Sequence, residues 1–338
     1  MPPASPGGPW TENVFWSFGT LQPSPDGYQP SGGLVIGSGG VLYGTTYGGG
    51  LFFSGTVFSL TPPAQPGAAW TERLVYEFGA TGNRDGAGPG GPLVLMPEGD
   101  LFGTTFGGGG YGGGTAYSVS ATGNGSLDNV LWNFGGTGDG SGPTGLTADS
   151  NGVLYGTTEA GGAHDHGTAF SLAPPSPGGY WTEKVLWSFS GPPGDGDGPG
   201  PVVIGPRGVL YGVTPDGGAY FNGTAFSLIP SAQGTSWTEK VLRNFRSFAA
   251  DPVGPVVLDG SGQIYGVAQE GGRHGLGFVF RLTPPSSPGG DWGVAILHDF
   301  SGTDGRKPQP LFHGPGGVLY GATFGGGSQN YGTVFSLK

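Results

Sequence analysis

Short apolar runs of four to eight residues, each closed off by Gly, Pro, Asn or Asp, follow one another along the whole chain. No stretch sustains the 3.6-residue apolar period of a helix. One stretch shows the unit: Pro92-Leu93-Val94-Leu95, then Leu101-Phe102-Gly103-Thr104-Thr105, then Gly114-Thr115-Ala116-Tyr117-Ser118-Val119, then Asn129-Val130-Leu131-Trp132-Asn133-Phe134. These runs are rich in β-branched and aromatic residues, so they read as four strands. The second run returns as Leu42-Tyr43-Gly44-Thr45-Thr46, Leu154-Tyr155-Gly156-Thr157-Thr158, Leu210-Tyr211-Gly212-Val213-Thr214, Ile264-Tyr265-Gly266-Val267-Ala268 and Leu319-Tyr320-Gly321-Ala322-Thr323. Its aromatic residue stands at 43, 102, 155, 211, 265 and 320, in steps of 59, 53, 56, 54 and 55 residues. That period belongs to propeller blades. The expected fold is all-β, a six-bladed β-propeller of four-stranded antiparallel blades with essentially no helix. The blades fall near 33–78, 91–134, 144–189, 199–245, 254–300 and 310–338 together with 10–18, in a single domain spanning 1–338.

The last of these assignments closes the ring. The chain starts with a fourth strand, Trp10 to Phe18, and finishes with a third, Gly332 to Leu337. Joining Lys338 to Met1 recreates the Pro-rich link that connects those strands in the fifth unit, Leu282 to Trp292. The N-terminal strand is therefore expected to complete the last blade and remove two free sheet edges. The fourth strand opens on W-T-E at Trp10, Trp70, Trp181 and Trp237, with Ser126-Leu127-Asp128 and Trp292-Gly293-Val294 as departures. Repetition on outer strands assigns these Trp residues to packing between blades, and His298 takes the place of Trp16, Tyr76, Trp132 and Trp187 in the same role.

Composition changes the picture in three ways. Gly 78 and Pro 32 would suggest disorder in an aperiodic chain, but here they recur at fixed offsets and mark turns. A net charge of -11, with no cluster of Lys or Arg, argues against nucleic acid and anionic membrane surfaces as partners. The chain has no Cys, which excludes disulfides, thiol catalysis and thiolate metal sites. No apolar run approaches a membrane span, and Met1-Pro2-Pro3-Ala4 begins no signal peptide. A monomer without cofactor is expected.

The succession D-G-x-x-P, L-Y-G-T-T-x-x-G-G and G-T-V-F-S-L resembles the tandem repeats named after Gloeobacter and Verrucomicrobia, the GloVer repeats, over nearly the whole chain. The resemblance implies a propeller and a secreted or surface-anchored bacterial product, with no common activity attached. This chain departs in ending at Lys338 without an anchor and in lacking the Cys often placed before G-T-V-F.

In a propeller, the loops entering the innermost strands and those joining second to third strands surround one mouth of the central channel. Both sets are Gly-rich here and form the default functional face. D-G-x-x-P occurs at Asp26, Asp85, Asp139, Asp195 and Asp304, with Phe248 in place of the sixth Asp. An Asp before Gly reads first as the acceptor of a turn. Asp195-Gly196-Asp197 is the one paired carboxylate and lacks further calcium ligands.

The residue after T-T is Tyr47, Phe106, Glu159, Pro215, Gln269 and Phe324 in turn. Aromatics thus occupy blades six, one and two, joined by Phe52, Phe53, Tyr111 and Tyr331; polar residues occupy the other arc, with His164, Asp165, His166, Asp216, Glu270, Arg273 and His274. Tyr220 and Phe221 break the rule on blade four. An aromatic shelf facing polar groups suits a glycan or polysaccharide, since flat rings stack on sugars and carboxylates accept from hydroxyls; the competing reading folds the aromatics inward as plugs. Glu159, Asp165, Asp216 and Glu270 are candidates for a general acid and a second carboxylate in a polysaccharide hydrolase or lyase. His164 and His166, two residues apart, with His274 would make a zinc-like set, but no strong metal spacing exists, and no metal is expected. His313 replaces Ile36, Leu95, Ile204 and Leu258 and reads as a core or channel residue. Three functions remain: a carbohydrate-binding module without catalysis, a polysaccharide-cleaving enzyme, and a scaffold for a protein partner.

Overall fold

The computed structural model describes residues 14–19, 26–65, 67–121, 127–176, 179–246, 249–287, 290 and 292–338. Six four-stranded antiparallel blades form a propeller. Blade one runs Tyr28–Ile36, Leu42–Gly48, Thr56–Thr61 and Thr71–Glu77, paired in that order from the axis outward. Blades two, three and five repeat it with Ala87–Leu95, Gly140–Ala148 and Ala249–Leu258 as first strands. The ladder is broken in the first strands of blades four and six, as Gly196–Asp197 with Val203–Ile204 and Arg306–Pro308 with Phe312–His313. Among the described residues helical structure is limited to the 3-10 turns Ser38–Gly40, Pro206–Gly208 and Pro315–Gly317, and no helix is long and apolar enough to cross a membrane.

The first strands begin earlier than the apolar runs mark them. D-G-x-x-P, read from the sequence as a loop, lies partly within the sheet, and the register slips just after it, between Ser31 and Val35, Gly90 and Val94, and Val253 and Val257. A slip of this kind is a bulge, which bends the strand locally.

Adjacent blades are joined by one aromatic contact repeated six times. The Phe that ends each fourth strand packs on the third-strand aromatic of the next blade: Phe78 on Tyr117, Phe134 on Phe170, Phe189 on Phe226, Phe245 on Phe280 and Phe300 on Phe335, at centroid distances of 4.8 to 5.2 Å. Phe18 makes the same contact with Phe58 at 4.7 Å. The Gly of L-Y-G exists for these rings: a Cβ on Gly44, Gly156 or Gly212 would fall 2.6 Å from Phe58, Phe170 or Phe226. The expected closing strand is half in view. Trp10 to Asn13 lie outside the described residues; residues 14–19 carry no ladder but seat Phe18, Trp16 and Phe15 on blade one as the other fourth-strand ends seat on theirs, with Phe15 stacked 4.3 Å from Trp70.

The Asp of D-G-x-x-P completes each joint. Its carboxylate accepts from the ring donor of the preceding fourth strand: Trp16 Nε1 to Asp26 (2.9 Å), Tyr76 Oη to Asp85 (2.7 Å), Trp132 Nε1 to Asp139 (2.9 Å) and Trp187 Nε1 to Asp195 (3.4 Å). His298 Nε2 stands 2.8 Å from Asp304. Backbone N–H groups of the same turns supply further donors, from Gly19, Gly79, Gly140, Gly196 and Ser301. The turn reading of these carboxylates holds, with a ring donor added that the sequence did not reveal. In the sequence, Arg243 stands at the ring-donor position of the blade whose following turn has Phe248 in place of Asp; Phe248 lies outside the described residues.

The W-T-E motif supplies both packing and buried charge. Trp181 lies 5.8 Å from Phe102 and Trp237 6.1 Å from Tyr155, each on the preceding blade. The half-buried Glu72, Glu183 and Glu239 each have an Oε1 shut from solvent with no hydrogen-bond partner in the protein. Burial, with Asp26, Asp139 and Asp195 nearby, pushes these carboxyls up from 4.5 to about 7, about 7 and about 8. His313, expected in the core or channel, is exposed.

Candidate ligand-binding face

A buried threonine pair pins each loop between second and third strands at its neck. The second Thr of T-T shares a hydrogen bond with the Thr that opens the third strand, Thr46 with Thr56 (2.8 Å), Thr105 with Thr115 (2.9 Å), Thr158 with Thr168 (2.9 Å), Thr214 with Thr224 (3.0 Å) and Thr323 with Thr333 (3.0 Å). Each also donates to the carbonyl two residues on, as Thr46 does to Gly48 (3.0 Å). Blade five substitutes the buried apolar pair Ala268 and Phe278. The loops are tied in turn to the entering turns, by Gly109 N to Asn83 O (2.8 Å), Gly162 N to Asp139 O (2.8 Å) and Gly327 N to Gly302 O (2.9 Å). Both Gly-rich loop sets therefore lie together, and the residue after T-T projects at the mouth.

Four of those residues meet. Tyr47, Phe106, Glu159 and Pro215, from blades one to four, line a recess of about 340 Å³ with Pro143, Pro199 and Pro252. Each aromatic ring lies over the next blade's residue before Pro: a Cβ on Gly88 would come 2.9 Å from the Tyr47 ring, and one on Gly142 3.2 Å from the Phe106 ring. Both glycines have a left-handed φ, +63° and +66°. Bare backbone thus gives each ring a flat seat, and the rings remain 48 % and 47 % exposed rather than folded in as plugs. Glu159 is the one carboxylate among the lining residues; solvent reaches it, but the surrounding protein pushes its pKa above the usual carboxylate value.

The third aromatic of that arc stands apart. Phe324 is 76 % exposed and does not line the recess. The corresponding residue before Pro on blade one is Gln29, with a side chain where Gly88 and Gly142 have none. Farther out on the loops, Phe52, Phe53, Tyr111, Tyr220, Phe221 and Tyr331 are exposed. Arg246 lies 5.1 Å above the Tyr220 ring.

The polar arc is a run of neighbouring polar and ionisable groups. His166 Nδ1 lies 3.0 Å from Asp197 of the next blade, and Asp197 stands opposite Asp216 in the ladder. Asp251 follows; burial first, then the charges of Glu270 and Asp216, raise its pKa against the opposing pull of Lys307. Lys307 Nζ lies 3.6 Å from Glu270. Asp251 and Lys307 escaped the sequence reading because they sit before Pro in D-G-x-x-P positions, and only their left-handed φ, 62° and 52°, turns them toward notice. Asp165 is a loop cap, its Oδ1 accepting from Gly161 N at 3.2 Å. His164, Arg273 and His274 are exposed. Among the described residues no three His, Asp or Glu come together as a metal would require, so His164, His166 and His274 do not form a centre.

Four-stranded blades latched in a ring of six, with a largely apolar recess at one mouth, define a β-propeller. The chain belongs to the Gloeobacter/Verrucomicrobia repeat family, whose model matches residues 122–335. Among solved structures, a Thermus thermophilus protein assigned as an oxidoreductase (glucose dehydrogenase) is 17 % identical, with a TM-score of 0.55 over 88 % of this chain and 91 % of that one. A gluconolactonase from Xanthomonas campestris is 13 % identical, with a TM-score of 0.52 over 92 % of this chain and 88 % of its own. At such identity the likeness is one of fold. No curated protein matches the sequence.

Proposed function

We propose that this propeller is a carbohydrate-binding module acting outside the cell or at its surface, and that the sugar sits in the recess at the mouth. One observation carries the reading: Tyr47 and Phe106 present half-exposed rings on glycine seats, side by side, next to Glu159. Flat apolar faces stack on sugar rings, and a carboxylate accepts from their hydroxyls. The extracellular address rests on the family resemblance. A binding rather than cleaving role is favoured by the recess itself, since glycoside hydrolysis uses two carboxylates across the scissile bond and the described lining holds only Glu159.

The test is titration calorimetry against soluble polysaccharides, paired with an assay for released sugar. Tyr47→Ala and Phe106→Ala should each weaken binding by about 0.5–1.5 kcal/mol, roughly 2- to 12-fold. Unchanged affinity in the double variant sinks the proposal, and released sugar moves the protein to the hydrolases or lyases.

A further inference from the structure

The tips of the six loops between second and third strands share a conformation. Three residues before the third strand opens, every blade places a left-handed residue: Phe53 (φ 58°), Gly112 (82°), Asp165 (64°), Phe221 (58°), Gly275 (71°) and Asn330 (62°). The turn is the same in each case where its bond is formed, as with Phe53 N to Gly50 O and Phe221 N to Gly218 O, both 3.3 Å. Asp165 and Asn330 also act alike, each accepting from the loop's own Gly N at 3.2 Å. In ring order the position therefore reads Phe, Gly, Asp, Phe, Gly, Asn. It repeats after three blades, and in a ring of six that places Phe53 and Phe221 on opposite sides of the mouth.

Neither Phe is there for the benefit of the loop. A bulky L-residue is disfavoured in the left-handed region, where Gly, Asn and Asp are at ease, and the same chain uses those three at the other four tips. The rings also remain 71 % and 64 % exposed. Strain combined with an exposed apolar ring, at two opposed points and not at the others, points to something outside the loop. Each Phe has an aromatic neighbour before it, Phe52 and Tyr220, so each of the two opposed tips carries an aromatic pair, with Arg246 over one face of the Tyr220 ring. Tyr220 and Phe221, the exceptions to the two-arc pattern, are the far end of this diameter.

We propose that the ligand is an extended linear glycan lying along this diameter, from Phe52 and Phe53 on blade one, over the recess, to Tyr220 and Phe221 on blade four. The inference rests on the carbohydrate reading and narrows it to long chains. A monosaccharide would fill the recess without touching either platform. The net charge of -11 restricts the chain to neutral or cationic sugars, because a polyanionic glycan would be repelled.

The experiment measures affinity for linear neutral oligosaccharides of increasing length, disaccharide to octasaccharide, in five series: β-1,4-glucan, β-1,3-glucan, xylan, mannan and chitin. In the series that binds, affinity should rise with length by about tenfold or more, each tenfold being worth 1.4 kcal/mol. A Phe53→Gly, Phe221→Gly double variant should lose that gain on the octasaccharide while keeping wild-type affinity for the shortest ligand. Its melting temperature should hold or rise, because Gly relieves the left-handed strain, so lost binding cannot be put down to misfolding. Length-independent affinity, or a double variant that binds the octasaccharide like wild type, overturns the proposal. If Tyr47→Ala still weakens binding in that case, the recess stands and only the diameter falls; if no series binds at all, both fall.

Discussion

Raising the pH should loosen this propeller, and three glutamates at the blade joints set the size of the effect. Glu72, Glu183 and Glu239 hold a proton in the folded protein up to about pH 7, 7 and 8, whereas the unfolded chain releases it near 4.5. The native state therefore binds more protons across that window, and stability falls as pH rises through it. Below about 4.5 there is no penalty, and above about 8 the penalty is complete. Moving one carboxyl from 4.5 to about 7 corresponds to about 3 kcal/mol at 1.36 kcal/mol per pH unit. Partial solvation of the side chains reduces this to roughly 1–1.5 kcal/mol each. For a chain of this length that is about 2 °C of melting temperature per site and about 5 °C for the three. The assay is thermal melting from about pH 5 to about pH 9 for wild type and a Glu72→Gln, Glu183→Gln, Glu239→Gln variant. The two should melt within about 1 °C of each other at the acid end and separate progressively toward the alkaline end, the variant being more stable. A variant that keeps the wild-type slope, or that loses stability equally at both ends, refutes the account of these carboxyls as groups kept protonated by burial, with a neighbouring Asp adding to it.

Two further outcomes test the joints. Gly266→Ala drives a methyl against the Phe280 ring and should lower stability by about 1–3 kcal/mol in urea denaturation, with Phe280→Leu restoring part of the loss; a neutral Gly266→Ala would show that the ring has room to move. Asp85→Ala strips acceptors from Tyr76, Gly79 and Thr81 and should cost about 2–3 kcal/mol by the same measurement, whereas a loss under about 0.5 kcal/mol would mean that water replaces the carboxylate without penalty.

Much of this architecture is legible in the sequence because each blade is built by local rules repeated in register. Apolar runs bounded by Gly and Pro give strands, their period gives blades, and topology then gathers the Gly-rich loops at one mouth. That Tyr47, Phe106 and Glu159 become neighbours follows from ring order alone. What the sequence conceals are contacts between different repeats. Phe324 occupies the position of Tyr47 and Phe106, but whether a ring finds a seat depends on the next blade's residue before Pro, and there Gln29 stands in place of a Gly. His164 and His166 stand two apart in the sequence, yet His166 is held by Asp197 across the joint. The left-handed residues at the loop tips are invisible in composition, because Phe53 and Phe221 are the last residue types that backbone preference would place there.

The aromatic latches carry a consequence for what counts as one unit of this protein. In blades one to five each fourth strand is hydrogen-bonded to its own sheet but sends its Phe and, except on blade four, its ring donor to the following blade, so the chemistry of cohesion is out of phase with the sheets. The segment that holds itself together starts with a fourth strand and runs through the next three, and the family match obeys the same phase: it begins at 122, just ahead of the strand Leu127–Asn133, and ends at 335, inside Val334–Leu337. A piece cut between sheets would sever a latch at each end, while one cut in the Pro-rich links between third and fourth strands would keep its latches whole. The unit of cohesion in this propeller is thus a joint together with the blade it fastens, rather than the blade alone.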